Sequence, residues 1–359
     1  MQQALLKLSA LVLTAAAATA QGTVYTQSND AAGNAVLTFQ RTGVTLSPAG
    51  SVSTGGLGAG SGLGSQGSVT LTRDARFLLV VNAGSNDVSV FERTPAGLVL
   101  VDREPSRGMR PTSVSERLGR VYVLNAGTNP NVAGFLLTMA GDLVPDAAAP
   151  APLANGSAPA RVAIGPGGAQ VFVTERATNL IDVFAIQPGG ALGAPAQIAS
   201  AGVTPFGFEF GRNDTLIVSE AAGGAAGAST VSSYRIGIGA LTPITAALPT
   251  NQSAACWVVL ARQQRYAYTT NAASGTLTGY LVTPGAGALT RLDASGATGN
   301  LGAGANPLDA VTTVDGKYLF VLSPATNEIA AFFVRADGTL EKLPSQFGLP
   351  STAYGLAAR

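Results

Sequence analysis

Short apolar segments that end in a polar residue recur along the whole chain. Segments of this kind, rich in β-branched and aromatic residues, are typical of buried β-strands. The seven segments are Val24–Gln27, Leu79–Asn82, Tyr122–Asn125, Phe172–Glu175, Ile217–Glu220, Tyr268–Asn271 and Phe320–Ser323. Their terminal polar residues are separated by 55, 43, 50, 45, 51 and 52 residues. This spacing indicates a structural repeat of the length found in propeller blades.

Two further marks recur in phase with these segments. An aromatic residue follows each segment on the next predicted strand, and a glycine follows each aromatic. The aromatics are Phe39, Phe91, Phe135, Phe184, Tyr234, Tyr280 and Phe332. The glycines are Gly43, Gly97, Gly141, Gly190, Gly239, Gly287 and Gly338. Glycine accommodates the positive φ of a tight hairpin, so each unit is predicted to contain a hairpin beyond its aromatic strand.

The pattern within each unit thus predicts four antiparallel strands. Four such strands form one blade of a β-propeller. We predict an all-β, seven-bladed propeller over residues 21–359, with the seven aromatics in its core. The first unit lacks its opening strand, and a spare strand, 351–357, follows the last unit. This strand is predicted to pair into the first blade and close the ring, which removes exposed strand edges. A pair of β-sandwiches does not explain seven marks in phase, and the repeats are too long for a β-helix.

Composition excludes several classes of function. The net charge is +1 and only 11% of the 359 residues are charged, which disfavours nucleic acid or an anionic membrane as the partner. Histidine is absent, which excludes a Ser-His-Asp triad, a Cys-His pair and a histidine-ligated zinc site. A single cysteine excludes an internal disulfide and a CxxC site. We predict neither a metal nor a cofactor.

The first twenty residues have the pattern of a secretory signal peptide. Lys7 precedes a short apolar run, 8–17, and Ala18-Thr19-Ala20 matches a signal-peptidase site. The run is shorter than the ~20 residues that a membrane-spanning helix needs. We therefore expect a secreted or periplasmic protein that begins near Gln21 and has no membrane span. A buried N-terminal helix is the alternative interpretation.

The propeller geometry predicts where a binding site lies. The start of each innermost strand and the end of the second strand share one face, at the mouth of the central channel. The strand-end ring is Gln27, Asn82, Asn125, Glu175, Glu220, Asn271 and Ser323. The strand-start set is Gln66, Arg110, Thr112, Arg161, Phe206, Trp257, Asp309 and Tyr354. These residues offer carboxylates, arginines, amides and aromatics, so we expect a small polar or anionic molecule at this mouth. A protein partner is the other class of ligand considered.

Three kinds of side chain in these sets suit hydrolysis. Arg161 can hold an anionic group through paired hydrogen bonds. Glu175 or Glu220 can accept a proton from water, and Asn82 or Asn125 can donate to an oxyanion. Each also has a purely structural explanation. Asn followed by Ala-Gly favours a turn, and Glu175 can pair with Arg161 or with the neighbouring Arg176.

Two other features support no separate chemistry. Cys256 has no histidine to activate it and is interpreted as a small buried hydrophobic residue. The glycine-rich stretch 55–64 contains G-x-G patterns, but no helix is predicted after it, so it does not match a dinucleotide-binding loop. We expect a flexible connection at the mouth face, in a position to act as a lid.

Several phrases of the repeat resemble a known family. They are Tyr122–Asn125, Tyr268–Asn271, Val314–Val321 and Asn82–Phe91. Together they are similar to the seven-bladed lactonase-like propellers, which include 6-phosphogluconolactonase-type and carboxymuconate cyclase-like proteins. The resemblance covers nearly the whole chain after residue 20 and implies lactone hydrolysis or formation at the channel mouth.

The sequence departs from that family at the mouth. Enzymatic relatives commonly place histidine, arginine and glutamate there, often with the histidine near the proline that opens an inner strand. Here Arg161, Glu175 and Glu220 match the arginine and glutamate, and nothing matches the histidine. The leading hypothesis is an exported lactonase-type hydrolase, and the alternative is a non-catalytic propeller that binds a ligand or protein. A carboxylate with a raised pKa beside an arginine in a concave site favours the enzyme, whereas a plugged channel favours the scaffold.

Overall fold

Seven antiparallel sheets, five of four strands and two of five, surround a central axis in the computed structural model, which describes residues 21–359. The predicted signal peptide, residues 1–20, lies outside the described residues. The prediction of an all-β, seven-bladed propeller is confirmed. Apart from its strands, this part of the chain has three single-turn 3-10 helices, at Pro188–Gly190, Ala222–Gly224 and Pro324–Thr326.

The strands are numbered in chain order and grouped by blade. Blade 1 begins with β1 (Gln21–Gln27), β2 (Ala35–Thr42) and β3 (Thr45–Ser53). Blade 2 contains β4 (Val69–Leu71), β5 (Phe77–Asn82), β6 (Asp87–Thr94) and β7 (Gly97–Pro105). Blade 3 contains β8 (Pro111–Arg117), β9 (Arg120–Asn125), β10 (Asn131–Leu137), β11 (Leu143–Pro145) and β12 (Ala151–Pro152). Blade 4 contains β13 (Pro159–Ile164), β14 (Gln170–Glu175), β15 (Leu180–Ala185) and β16 (Ala196–Ala199).

The remaining blades follow the same order. Blade 5 contains β17 (Pro205–Gly211), β18 (Thr215–Glu220), β19 (Thr230–Gly237) and β20 (Ala240–Pro249). Blade 6 contains β21 (Ala255–Ala261), β22 (Tyr266–Asn271), β23 (Thr276–Val282), β24 (Leu289–Arg291) and β25 (Gly299–Asn300). Blade 7 contains β26 (Ala310–Thr312), β27 (Tyr318–Ser323), β28 (Glu328–Val334) and β29 (Leu340–Phe347). The last strand, β30 (Tyr354–Ala358), is the innermost strand of blade 1.

The ring closes by pairing its two ends, as predicted. Strand β30 is antiparallel to β1, with Val24 opposite Ala358 and Gln27 opposite Tyr354. A side-chain bond from the Thr26 hydroxyl to the carbonyl of Tyr354, 3.2 Å long, supports the pairing. Because the chain supplies the innermost and the outer strands of blade 1 from opposite ends, its first blade has no unpaired inner edge.

Packing between blades explains the periodic marks in the sequence. The second strands are mostly apolar and almost entirely buried; every residue of β5 and β22 is buried. The seven aromatics are at most 5% exposed and fill the core, as predicted. The seven turn glycines all have positive φ, from 60° to 124°, as the hairpins require.

Candidate functional site

One face of the channel is closed by the segment that precedes blade 2. We call residues 63–66 the plug. Leu63 is 4% exposed and packs in one cluster with Phe206, Trp257 and Tyr354. The Phe206 and Trp257 rings lie 5.2 Å apart, and the Trp257 and Tyr354 rings lie 6.0 Å apart. Four bulky apolar groups from separate blades and the plug therefore fill this end of the channel.

Hydrogen bonds join the plug to several blades. The indole N–H of Trp257 donates to the carbonyl of Ser65 at 3.0 Å, and the Gly64 amide donates to the Tyr354 hydroxyl at 3.0 Å. The Ser65 hydroxyl donates to the carbonyl of Thr112 at 2.7 Å. Trp257 and Tyr354 are predicted from sequence to line an open channel mouth. In the structure they bind the plug that closes it.

The glycine-rich stretch next to the plug is also fixed, contrary to the expectation of a flexible connection. The Gly58 amide donates to the carbonyl of Asp30 at 2.8 Å, and the Asn29 amide side chain donates to the carbonyl of Ser61 at 2.8 Å. Arg110 is exposed on this face and donates to the carbonyl of Gly62 at 3.1 Å. Hydrogen bonds therefore close this face of the channel.

The predicted strand-end asparagines are fully buried and hydrogen-bonded to their own blades and to the adjacent segments. Each amide group joins the end of the second strand to neighbouring segments. Asn82 donates to Asp87 and Ser89 at 2.6 and 2.8 Å, Asn125 to Ser106 and Asn131 at 2.9 and 2.9 Å, and Asn271 to Thr276 and Thr278 at 3.0 and 2.9 Å. The structure does not bring these three amides together, and their donors are already used.

The two predicted catalytic glutamates are likewise buried, in different blades. Glu220 accepts hydrogen bonds from Ser232 at 2.6 Å and from the Gly202 amide at 3.0 Å. Glu175 accepts one from Thr178 at 2.6 Å and lies beside Asp182. Burial and the charge of Glu175 raise the pKa of Asp182 to about 6. Neither glutamate lines a cavity described below, so their catalytic role stays a prediction that this placement does not favour.

An open cavity of about 590 Å³ occupies the other end of the channel. We call it the channel cavity. Its deep end contains Gln66 and Asp309, which are buried, and the half-buried Arg161. Its rim contains Arg212 and Gln264, exposed in the turns that follow β17 and β21. Three residues of the predicted strand-start set therefore meet in one cavity, but the cavity opens on the face opposite the predicted mouth.

Asp309 is the buried carboxyl group of this cavity. Burial raises its pKa to about 7, against the opposing effects of two backbone hydrogen bonds and the charge of Arg161. The Ala310 amide donates to one oxygen at 2.8 Å, and the Leu356 amide donates to the other at 3.2 Å. A carboxyl group of this kind exchanges a proton near neutral pH, as a general base must.

Arg161 lies between an acid and an aromatic ring. Its Nη2 is 3.1 Å from the Glu209 carboxylate, and its guanidinium carbon is 4.9 Å from the centre of the Phe208 ring. The partner of Arg161 is thus Glu209 rather than Glu175. Its Nη1 is buried and has no hydrogen-bond acceptor within the described residues. One N–H group of the guanidinium therefore has no partner in the described part of the protein, which is unusual for a buried donor.

Gln66, the last residue of the plug, forms the floor of the channel cavity. Its Nε2 donates to the carbonyl of Val258 at 2.9 Å, and its Oε1 is buried without a donor in the described part of the chain. A Cβ at Gly207 would lie 2.3 Å from this Oε1, so a glycine is needed where the amide crosses the channel. The free oxygen is an acceptor for a ligand hydroxyl.

The sequence reasoning did not identify Glu209, Phe210, Arg212 and Gln264, which also line the channel cavity. They lie at the ends of inner strands or in the turns that follow, whereas the predicted sites lie at the starts of inner strands and the ends of second strands. The sequence signal for them is an arginine, Arg212, and a glutamine, Gln264, in the turns of neighbouring blades. Among residues 21–359, no three His, Cys, Asp or Glu side chains are grouped as metal ligands.

Comparison with known proteins shows the fold. No protein-family model and no curated protein matches the sequence. The periplasmic gluconolactonase PpgL of Pseudomonas aeruginosa is 16% identical, with a TM-score of 0.74 over 94% of this chain and 99% of that one. This chain has the lactonase-like propeller fold.

Two further structures are each described as "putative 6-phosphogluconolactonase". The Bacteroides uniformis protein is 19% identical, with a TM-score of 0.73 over 93% of this chain and 98% of that one. The Bacteroides fragilis protein is 20% identical, with a TM-score of 0.70 over 94% and 98%. The suspected resemblance to lactonase-like propellers is therefore confirmed for the fold. Within the described residues, no helix has the length and apolar character needed to cross a membrane.

Proposed function

We propose that this protein hydrolyses a small lactone in the channel cavity, with Asp309 as the general base. The observation that carries the proposal is a buried carboxyl group with a pKa near 7 in the same cavity as an arginine with an unused N–H group. The fold neighbours support it, because three of them are named as gluconolactonases or 6-phosphogluconolactonases.

The proposed reaction uses two side chains. Ionised Asp309 takes a proton from water, and the water oxygen forms a bond to the lactone carbonyl carbon. The carbonyl oxygen becomes an oxyanion that accepts a hydrogen bond from Arg161 Nη1. The ring C–O bond then breaks, and Asp309 returns its proton to the departing alkoxide. The product is the open hydroxy acid.

Both side chains are held in place by the protein. Two backbone amides fix the Asp309 carboxylate, while the Glu209 carboxylate and the Phe208 ring fix the guanidinium of Arg161. Fixed groups lose little entropy on forming the transition state. Glu209 is in this respect a positioning residue for Arg161.

The test is turnover of a panel of γ- and δ-lactones by residues 21–359, with spontaneous hydrolysis subtracted at each pH. Asp309→Asn should lower kcat/KM by about 10²–10⁴-fold, and Asp337→Asn, on the fully exposed β28–β29 turn, should not change it. For the wild type, kcat/KM should rise with pH through about 7, because the ionised carboxylate is the active form. Absence of turnover, or full activity in folded Asp309→Asn, would refute the mechanism.

The Glu175→Gln, Glu220→Gln double variant separates this base from the one expected from sequence. Both glutamates lie outside the channel cavity, so the folded double variant should retain activity. Loss of activity in that variant but not in Asp309→Asn would return the assignment to the glutamates.

A non-catalytic binding propeller is the second candidate. The plugged face favours it, because substrate and product then share one entrance. It predicts that lactones or their hydroxy acids bind, as measured by calorimetry, without turnover under any condition of the panel.

We also propose that the protein is exported. Support comes from the signal-peptide pattern over residues 1–20 and from the similarity of the fold to a protein named as periplasmic. Cell fractionation and N-terminal sequencing should place the mature start near Gln21. An intact N-terminus on protein recovered from the cytoplasm would contradict export.

A further inference from the structure

A second cavity, of about 610 Å³, adjoins the channel cavity on the same face. We call it the side groove. It is lined mainly by blades 3, 4 and 5, with one arginine from blade 2 and one glutamine from blade 6. It shares five lining residues with the channel cavity: Arg161, Glu209, Phe210, Arg212 and Gln264. Cavities that hold one drug-sized ligand measure about 300–1,000 Å³. The two together therefore offer more room than a single small lactone occupies.

The side groove has an excess of positive charge. Its lining contains four arginines, Arg73, Arg117, Arg161 and Arg212, and two carboxylates, Glu209 and Asp214. One of these carboxylates, Glu209, is already paired with Arg161. Guanidinium groups favour carboxylate, sulfate or phosphate ligands, which they bind through paired N–H donors.

Buried donors without acceptors lie along the same path. Arg161 Nη1 and Arg117 Nε are both buried and have no acceptor within the described residues. Arg117 is held by a bond from its Nη2 to the carbonyl of Pro166, so its Nε has a fixed position. Buried N–H groups are paired in nearly all native structures, and a bound ligand is one source of the missing acceptors.

In the channel cavity, the ligand must supply a hydrogen-bond donor rather than an acceptor. Gln66 Oε1 is a buried acceptor without a donor. A ligand that satisfies the whole path therefore carries anionic acceptors at the groove and hydroxyl donors at the channel. Phe210, half-buried between the two cavities, offers an apolar contact for the C–H groups of a ring. Linear sugar acids combine these three properties.

We propose that the natural ligand is an acidic oligosaccharide whose terminal, lactone-forming unit enters the channel cavity while the following units lie in the side groove. The proposal rests on the proposed function for the terminal unit only. The groove residues act in binding and specificity, and Arg212, which lines both cavities, contacts the ligand at the junction.

The experiment is calorimetric binding of galacturonic acid and tetragalacturonate to residues 21–359 at physiological salt. Cellotetraose serves as the neutral ligand of equal length, and tetraglutamate as the anionic ligand without sugar rings. The tetramer should bind at least about tenfold more tightly than the monomer, and neither comparison ligand should show this gain. Arg212→Gln and Arg73→Gln should each reduce the gain from monomer to tetramer. Arg335→Gln, in an exposed ion pair with Glu341, should not change it.

The outcomes separate the proposed binding in the side groove from the proposed lactone hydrolysis. Asp309→Asn removes the proposed base but not the groove, so it should keep the length-dependent affinity even if turnover is lost. Length-dependent binding without any lactone turnover would refute the proposed function and leave the groove assignment intact. Equal affinity for monomer and tetramer, equal binding of cellotetraose or tetraglutamate, or an unchanged gain in Arg212→Gln would overturn the assignment.

Discussion

The raised pKa of Asp309 predicts a specific pH dependence of stability. A carboxyl group has a pKa of 3.8 when unperturbed and about 7 at this site. The folded state therefore holds the proton over a range in which the unfolded chain releases it. The stabilisation is complete below about pH 4 and is lost as pH rises through about 7.

The magnitude follows from the two pKa values. Each unit of difference corresponds to about 1.4 kcal/mol, so the contribution of Asp309 to the unfolding free energy changes by about 4 kcal/mol across this range. Asp309→Asn should remove that change. It should also introduce a cost of about 1–3 kcal/mol, because one of the two backbone N–H groups loses its acceptor. This cost is independent of pH and does not affect the slope.

Urea denaturation at intervals from pH 4.5 to 8.5 measures the effect. The wild-type free energy of unfolding minus that of Asp309→Asn should fall steadily with pH and level off above about pH 7. Asp182→Asn is the matched comparison, since Asp182 is also buried and its pKa is raised to about 6. Its difference curve should have the same sign, a smaller amplitude and an earlier plateau. A flat curve for Asp309→Asn would refute the reasoning about its burial.

Three further predictions concern the plug, the thiol and the ring closure. Leu63→Ala should lower the unfolding free energy by about 2–5 kcal/mol, whereas Leu57→Ala, at a residue 42% exposed, should change it little. Burial raises the pKa of Cys256 to about 12, so native protein at pH 8 should not react with Ellman's reagent until it is unfolded. Deletion of residues 354–359 removes β30 and exposes the edge of β1, so light scattering should show association that the full chain lacks. Unchanged stability, a reactive native thiol or a monomeric truncation would contradict the respective prediction.

The fold was predictable because each blade repeats the same local solution. A buried second strand, an aromatic on the third and a hairpin glycine recur in order, so seven weak signals become one strong one. The closure was predictable for the same reason, since one strand was missing at the start and one was left over at the end. Strand bounds inside blades 3 and 6, whose fourth strands are split into β11 with β12 and β24 with β25, had no comparable signal.

The position of the site was harder to predict, and the repeat itself was the cause. The predicted binding ring consists of the polar residues at the end of every second strand, whose identity varies between blades. Asn82 and Asn271 show why they recur: each amide joins adjacent strands of its own blade. A polar residue that recurs at the same place in every blade is explained by the hydrogen bonds that hold the blade together, without a role in ligand binding. Asp309 and Gln66, in contrast, have no hydrogen-bond partner that recurs from blade to blade. These two residues line the channel cavity together.

Which end of the channel is open depends on contacts that no local pattern records. The plug is closed by the bond from Trp257 to Ser65, two residues that lie on opposite sides of the ring and are 192 apart in sequence. The stretch before it, read from its glycines as flexible, has little local preference for either an open or a closed form. Its conformation is decided by the apolar cluster into which Leu63 inserts. Once this end is sealed, the cavity lined by Gln66, Arg161 and Asp309 opens only on the opposite face, and the function must be sought there.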